Sequence, residues 1–160
     1  MNIKGESKRG EDRMIYIGID PGKSGAMAVI DGVGNIIALT PFDMEEYRRI
    51  LTNLPLGENA ICCLEKVGAM PNQGVSSTFS FGENYGFIQG MLFAFYIPFQ
   101  TVTPRKWKNA FSLNAEKASS IKVCKKLFPS ANLKRTERCR TDHDGKAEAL
   151  LLSVYAKRYL

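Results

Sequence analysis

The sequence predicts an α/β fold, a five-stranded mixed sheet flanked by helices, and two observations predict it. Three short β-patterned runs come first, separated only by turns. Two later strand-like runs are each reached through a helical segment, so the order reads βββαβαβα with small additions. A hairpin start followed by strand–helix alternation places antiparallel and parallel strands in one sheet. The chain shows no internal repeat.

The first strand runs from Met14 to Asp20, where Ile15, Ile17 and Ile19 alternate with Tyr16, Gly18 and Asp20 before Pro21-Gly22 forces a turn. Ala26–Asp31 and Asn35–Pro41 follow, joined by the hairpin turn Gly-Val-Gly-Asn. Asp43 fits the N-cap of a helix to about Leu54, stopped by Pro55 and Gly57. Ala60–Lys66 is the fourth strand, with Ile61, Cys63 and Glu65 on one face. A Gly-, Ser- and Phe-rich loop spans Gly68 to about Gly82. Glu83–Tyr96 then reads as a helix apolar nearly all round, which implies burial on two sides. Gln100–Thr103 is the fifth strand, and Pro104 opens a short helix bearing Arg105, Lys106 and Lys108. Asn114 can cap the next helix, which ends at Phe128 before Pro129. A basic loop, Ser130–Arg140, leads to the last helix, Asp144 to about Tyr159.

At 160 residues the chain holds one ordinary core, expected over residues 14–160. Met1 to Arg13 is polar, charged and without periodicity, as in a disordered leader, and its acidic residues argue against a transit peptide. The composition, 44% hydrophobic and 24% charged, is that of a soluble globular protein. Charge is uneven: Gln100 to Leu160 carries 14 Lys/Arg against 5 Asp/Glu, a net of +9, whereas the preceding residues carry 8 against 11. Such a one-sided excess points to a polyanionic partner, the plainer reading being a solvated basic helix face. Cys62, Cys63, Cys124 and Cys139 offer no Cys-x-x-Cys spacing. Cys62 and Cys63 point to opposite faces of a strand and cannot share a zinc. Without a signal peptide they read as free thiols in a reducing, cytoplasmic compartment. The longest apolar run, Met91 to Phe99, is too short and interrupted to span a membrane.

Asp20 and Glu65 each close a hydrophobic strand, where a charge is costly unless something pairs with it. Asp20 could equally cap its turn. On the last helix, 100° per residue from Asp144 puts Glu148 at about 40°, Leu151 near −20° and Tyr155 near 20°. Both acids therefore start the core-facing side, while Lys146, Ser153 and Lys157 fall opposite. Like charges four apart repel by roughly 0.2–0.5 kcal/mol even when exposed. A bound cation accounts for them more fully than the helix dipole does. The simpler account makes Asp144 an N-cap and pairs Glu148 with a basic side chain. Hard oxygen donors suit Mg²⁺ or Mn²⁺. Several carboxylates can hold two such ions about 4 Å apart, the arrangement that serves phosphodiester hydrolysis.

With these residues in place, the chain from Met14 to Leu160 resembles the RuvC-type Holliday-junction resolvases of the RNase H-like superfamily, and among them the compact kind found in phages. The resemblance rests on five motifs in order: GIDPGKSGA at 18–26, CLEKV at 63–67, FSFGENYGFIQG at 79–90, TPRKWK at 103–108 and DHDGKAEALLLS at 142–153. It implies an RNase H-like fold and a homodimeric, Mg²⁺-dependent crossover-junction endonuclease that nicks two strands of a four-way DNA junction. It carries the catalytic and metal-ligand roles onto Asp20, Glu65, Asp144 and Glu148. Bacterial members usually space the last two acidic or His ligands three apart, whereas here they are four apart with alanine at 147. Asp142 and His143 are therefore alternates. His143, the only histidine, is otherwise a loop residue beside the N-cap.

For DNA, Phe79 and Phe81 offer one core anchor and one ring to stack on bases opened at the junction. Arg105, Lys106, Lys108, Lys122, Lys125 and Lys126 are candidates for phosphate contacts. The helix from Glu83 to Tyr96 is the expected dimer interface. Two other readings compete. A sugar-kinase or actin-like ATPase shares the strand-to-Asp-Gly start but needs a second lobe, for which 160 residues leave no room, so no nucleotide cofactor is expected. A non-catalytic nucleic-acid-binding protein keeping the fold would retain acids that destabilise its own site.

Overall fold

The structure, a computed structural model, describes residues 13–54 and 59–160. The expected leader, apart from Arg13, and the helix stop at Pro55 and Gly57 lie outside the described residues. Five strands, β1 (Ile15–Asp20), β2 (Ala26–Asp31), β3 (Ile36–Pro41), β4 (Ala60–Glu65) and β5 (Phe99–Val102), form one sheet in the order β3-β2-β1-β4-β5. The pairs β1–β2 and β2–β3 are antiparallel, whereas β1–β4 and β4–β5 are parallel. The mixed sheet follows from the connections. Asp31 accepts the backbone N–H groups of Val33, Gly34 and Asn35, which closes the β2–β3 hairpin tightly. The routes into β4 and β5 each pass through a helix.

Strand alternation divides the core between two faces. Ile15, Ile17 and Ile19 of β1 meet Tyr47, Ile50 and Leu51 of α1 (Met44–Asn53) and Ile88 and Leu92 of α2 (Val75–Ala94). On the other face, α3 (Pro104–Ala110), α4 (Lys117–Leu127) and α5 (Asp144–Tyr159) cover Ala26, Ala28, Ile30 and Cys63. Cys62 and Cys63 join opposite cores, as adjacent strand residues must, and all four cysteines are free. Among the described residues no helix is long and apolar enough to cross a membrane.

Three expectations change. α2 starts at Val75, eight positions before Glu83, so the expected Gly68–Gly82 loop is helical over its second half. The missed first half is rich in weak helix formers, Ser76, Ser77, Ser80 and Gly82, the glycine alone disfavouring helix by about 1 kcal/mol. Asn114 does not cap α4 directly: Glu116 is the N-cap, and Asn114 Oδ1 accepts from its backbone N–H at 2.9 Å. The far side of α5 is solvated only in part: Lys146 and Ser153 are buried there, whereas Lys157 is exposed. Ser153 turns its hydroxyl to Leu150 O at 2.7 Å, and Lys146 Nζ donates to the carbonyls of Asn132 and Lys134 at 2.9 and 2.7 Å. The segment after α4 wraps that side of the helix and supplies its acceptors.

Candidate active site

β1 and β4 are neighbouring parallel strands in the register Ile19↔Leu64, so their next residues, Asp20 and Glu65, stand side by side at the carboxyl edge of the sheet. Such an edge is where open α/β sheets leave a crevice. α5 crosses this face of β1 at very close range. A Cβ on Gly18 would lie 2.1 Å from Ala149 O and 2.2 Å from Ser153 N, so only glycine admits the helix there. A Cβ on Gly145 would meet Ser24 O at 2.3 Å, so the first turn of α5 rests directly on the loop after Asp20. These two glycines bring Glu148 over the strand ends.

Asp20, Glu65 and Glu148 each offer a carboxylate oxygen, and the three oxygens lie within 4.8 Å of one another. Burial pushes the Asp20 carboxyl well above its usual range, and the negative charges of Glu65, Glu148 and Asp144 add to this. Burial also raises Glu65, against the hydrogen bond from Trp107. Trp107 Nε1 donates to Glu65 Oε2 at 2.7 Å. Glu148 Oε1 accepts from Ser120 Oγ at 3.1 Å and pairs with Lys108 Nζ at 3.1 Å. Counting Asp144, four acids thus share the ammonium groups of Lys108 and Lys117, which leaves negative charge in excess. A divalent cation fits that imbalance, and an all-oxygen donor set fits Mg²⁺ or Mn²⁺.

Asp144 stands outside this group of three. It lines a cleft of about 730 Å³ together with Asp20, Ser24, Ser77, Ser80 and Phe81. Its carboxylate pairs with Lys117 at 3.0 Å. Burial raises its pKa, but the bond and charge of Lys117 outweigh that and leave it below the usual range. The N-cap of α5 is His143, whose Nδ1 accepts from Lys146 N at 3.2 Å, and burial lowers the imidazole pKa. Asp142 is held by Lys125 and, at 3.6 Å, by Lys134. Neither alternate belongs to the group of three.

The DNA candidates separate in the same way. Phe81 packs its ring edge over Gly22 in the cleft, while Phe79, on the same helix, is 68% exposed. Arg105, Lys106, Lys122 and Lys126 are exposed, Lys125 is engaged with Asp142, and Lys108 points into the carboxylate group. Sequence reasoning missed Trp107, Ser120 and Lys117. Trp107 carried one signal, as the single tryptophan of the chain inside TPRKWK. Ser120 and Lys117 lie one turn apart on α4, and nothing local marked that face as turned to the acids.

No protein-family model matches the chain, and no curated protein matches it in sequence. Solved structures do. A Thermus thermophilus RuvC in complex with Holliday junction substrate aligns over 89% of this chain and 91% of its own, with a TM-score of 0.61 and 15% identity. Another Thermus thermophilus RuvC structure aligns over 88% and 92%, with a TM-score of 0.55 and 18% identity. The five-stranded mixed sheet with its flanking helices is the RNase H-like fold of these RuvC structures.

Proposed function

We propose that this chain is a divalent-metal-dependent endonuclease that hydrolyses phosphodiester bonds in branched DNA, with the four-way junction as its principal substrate. The carrying observation is the group formed by Asp20, Glu65 and Glu148, three acids from three elements within 4.8 Å. Asp20, Glu65 and Glu148 would hold the metal, with Asp144, paired with Lys117, beside them in the cleft wall. When bound, one or two Mg²⁺ or Mn²⁺ ions would supply an activated water and charge stabilisation at the leaving oxygen. The protein's own part is to orient and to bind. Trp107 and Ser120 fix two of the carboxylates. The net charge of +9 after Phe99 gives a phosphate backbone its counterions, through Arg105, Lys106, Lys122 and Lys126. Phe79, exposed at the start of α2 beside the cleft-lining Ser77, Ser80 and Phe81, offers a face to an unpaired base.

The working unit is a homodimer joined along α2. Ile88 and Leu92 cover the sheet on one side of this helix. At 100° per residue, Val75, Phe79, Gly82, Gly86, Gly90 and Phe93 share another side. Phe93 there is 81% exposed, and beyond the helix's own backbone and each glycine's chain neighbours nothing lies within 4 Å of a Cβ built on any of the three glycines. A flat glycine stretch between aromatic ends suits close packing of a second helix. A two-fold dimer also presents two sites to the two equivalent strands of a junction.

The deciding experiment is Mg²⁺-dependent nicking of a synthetic four-way junction compared with linear duplex of the same sequence. Selective paired nicks support the reading. Tight junction binding without nicking at any Mg²⁺ or Mn²⁺ concentration replaces it with the non-catalytic one.

A further inference from the structure

Trp107 has no polar surface to serve: its indole is fully buried, and its Nε1 donates to a carboxylate 42 positions earlier in the chain. α3 is built to hold it there. Thr103 accepts the Lys106 N–H as N-cap, Pro104 occupies the first turn, and Phe111 meets the indole edge-on with ring centroids 6.5 Å apart. The next residue, Lys108, turns its ammonium over the indole, 5.2 Å from the ring centroid, while pairing with Glu148. Consecutive residues of one short helix thereby engage two of the three clustered acids.

A glutamate's terminal torsion is broad and leaves its two oxygens interchangeable unless something fixes the plane. The indole N–H does so at 2.7 Å, donating to Oε2 alone. We propose that Trp107 is a positioning residue: it fixes the Glu65 carboxylate plane, and so the direction of the oxygen offered to a cation, before the cation arrives. Partners of this kind typically change metal affinity or activity by about 10–100-fold when removed. The proposal rests on the metal-dependent reading above and adds a residue that does not itself touch metal or DNA.

The test measures metal affinity on the intact, metal-stripped chain, without DNA. Mn²⁺ binding is followed by calorimetry for the wild type, for Trp107→Phe, and for protein in which the single tryptophan is replaced by its benzothiophene analogue. That analogue keeps the ring's shape and puts sulfur in place of N–H, so it preserves the packing even where Trp107→Phe fails to fold. Phe111→Leu, which disturbs the same aromatic contact but leaves the hydrogen bond, is the packing control. Mn²⁺ affinity should fall about 10-fold or more in both N–H-deleted proteins and stay within about twofold of wild type in Phe111→Leu. Unchanged affinity in the benzothiophene protein overturns the positioning role while leaving the metal reading intact. A wild type that binds no Mn²⁺ overturns the metal reading, and the proposal with it.

Discussion

Lys108 Nζ lies 3.1 Å from Glu148 Oε1, and it is the cation that lowers the carboxyls of both Asp20 and Glu65 against their burial. The lysine is thus the counter-charge in direct contact with the group, while Lys117 acts on it from beside Asp144. Lys108→Met should lower the melting temperature of metal-stripped protein by ~3 °C, for a partly buried pair worth about 1 kcal/mol. Mg²⁺ should then raise the melting temperature of the variant more than that of the wild type, since the ion takes over an unshared charge. Equal Mg²⁺ shifts in differential scanning calorimetry would separate Lys108 from the acid group.

The amide variants Asp20→Asn, Glu65→Gln and Glu148→Gln should each reduce junction nicking by more than ~10²-fold, a larger loss than outer partners of a metal cause. Junction binding should be retained or tightened, because a negative charge near phosphate is removed. Asp144→Asn should cost less than Glu148→Gln, since Asp144 is paired with Lys117 outside the group of three. Single-turnover nicking alongside gel-shift affinity checks this order, and an Asp144→Asn loss equal to that of Glu148→Gln would place Asp144 among the ligands.

Arg105→Glu with Lys106→Glu should weaken four-way and duplex binding together. The slope of log affinity against log salt should fall by about one for each phosphate that is no longer neutralised. Lys125→Glu should move that slope less, because Lys125 is already engaged with Asp142. Fluorescence anisotropy over a salt series reads the difference.

Asp142 ties the segment before α5 to Lys125 and Lys134, and the bond from Lys125 holds its carboxyl below the usual range. A depressed folded pKa contributes stability that is full above the ordinary carboxylate value and is lost as pH falls through the folded one. Asp142→Asn should therefore melt below wild type near neutral pH, and the gap should close as the pH drops below the ordinary value of 3.8. A gap that stays constant into acid would show that Asp142 acts through its hydrogen bonds and not its charge.

Gly86→Leu should convert the proposed dimer to a monomer in sedimentation velocity without unfolding the chain. A side chain at Gly86 meets open space within its own protomer, and leucine favours helix over glycine by about 0.8–1 kcal/mol. A variant that sediments as the wild-type dimer would move the interface off this side of α2.

The secondary structure legible in the sequence was the part written in short-range pattern. Alternation in Ile15–Asp20 and Ala26–Asp31, the hairpin turn at Asp31–Asn35 and the Asp43 cap each depend on neighbours within four residues, and each is found. The start of α2 was not legible, because Ser, Gly and Phe carry no helical period there and its packing contact, Phe81 against Gly22, comes from the distant loop after β1. The inward direction of Glu148 was readable from helix geometry, but the burial of Lys146 was not. Its acceptors, the carbonyls of Asn132 and Lys134, come from a loop with no periodicity to place it.

The sequence by itself determined that acids end two core strands and begin one helix, because side-chain period and turn chemistry are local properties. Only the tertiary structure decided which acids meet. β1–β4 register sets Asp20 beside Glu65, and the close backbone approach admitted by Gly18 and Gly145 brings Glu148 above them. The same packing leaves Asp144 to Lys117, Asp142 to Lys125 and His143 to the helix cap. Those choices turn on how closely elements far apart in the chain approach one another, and no local pattern encodes such distances.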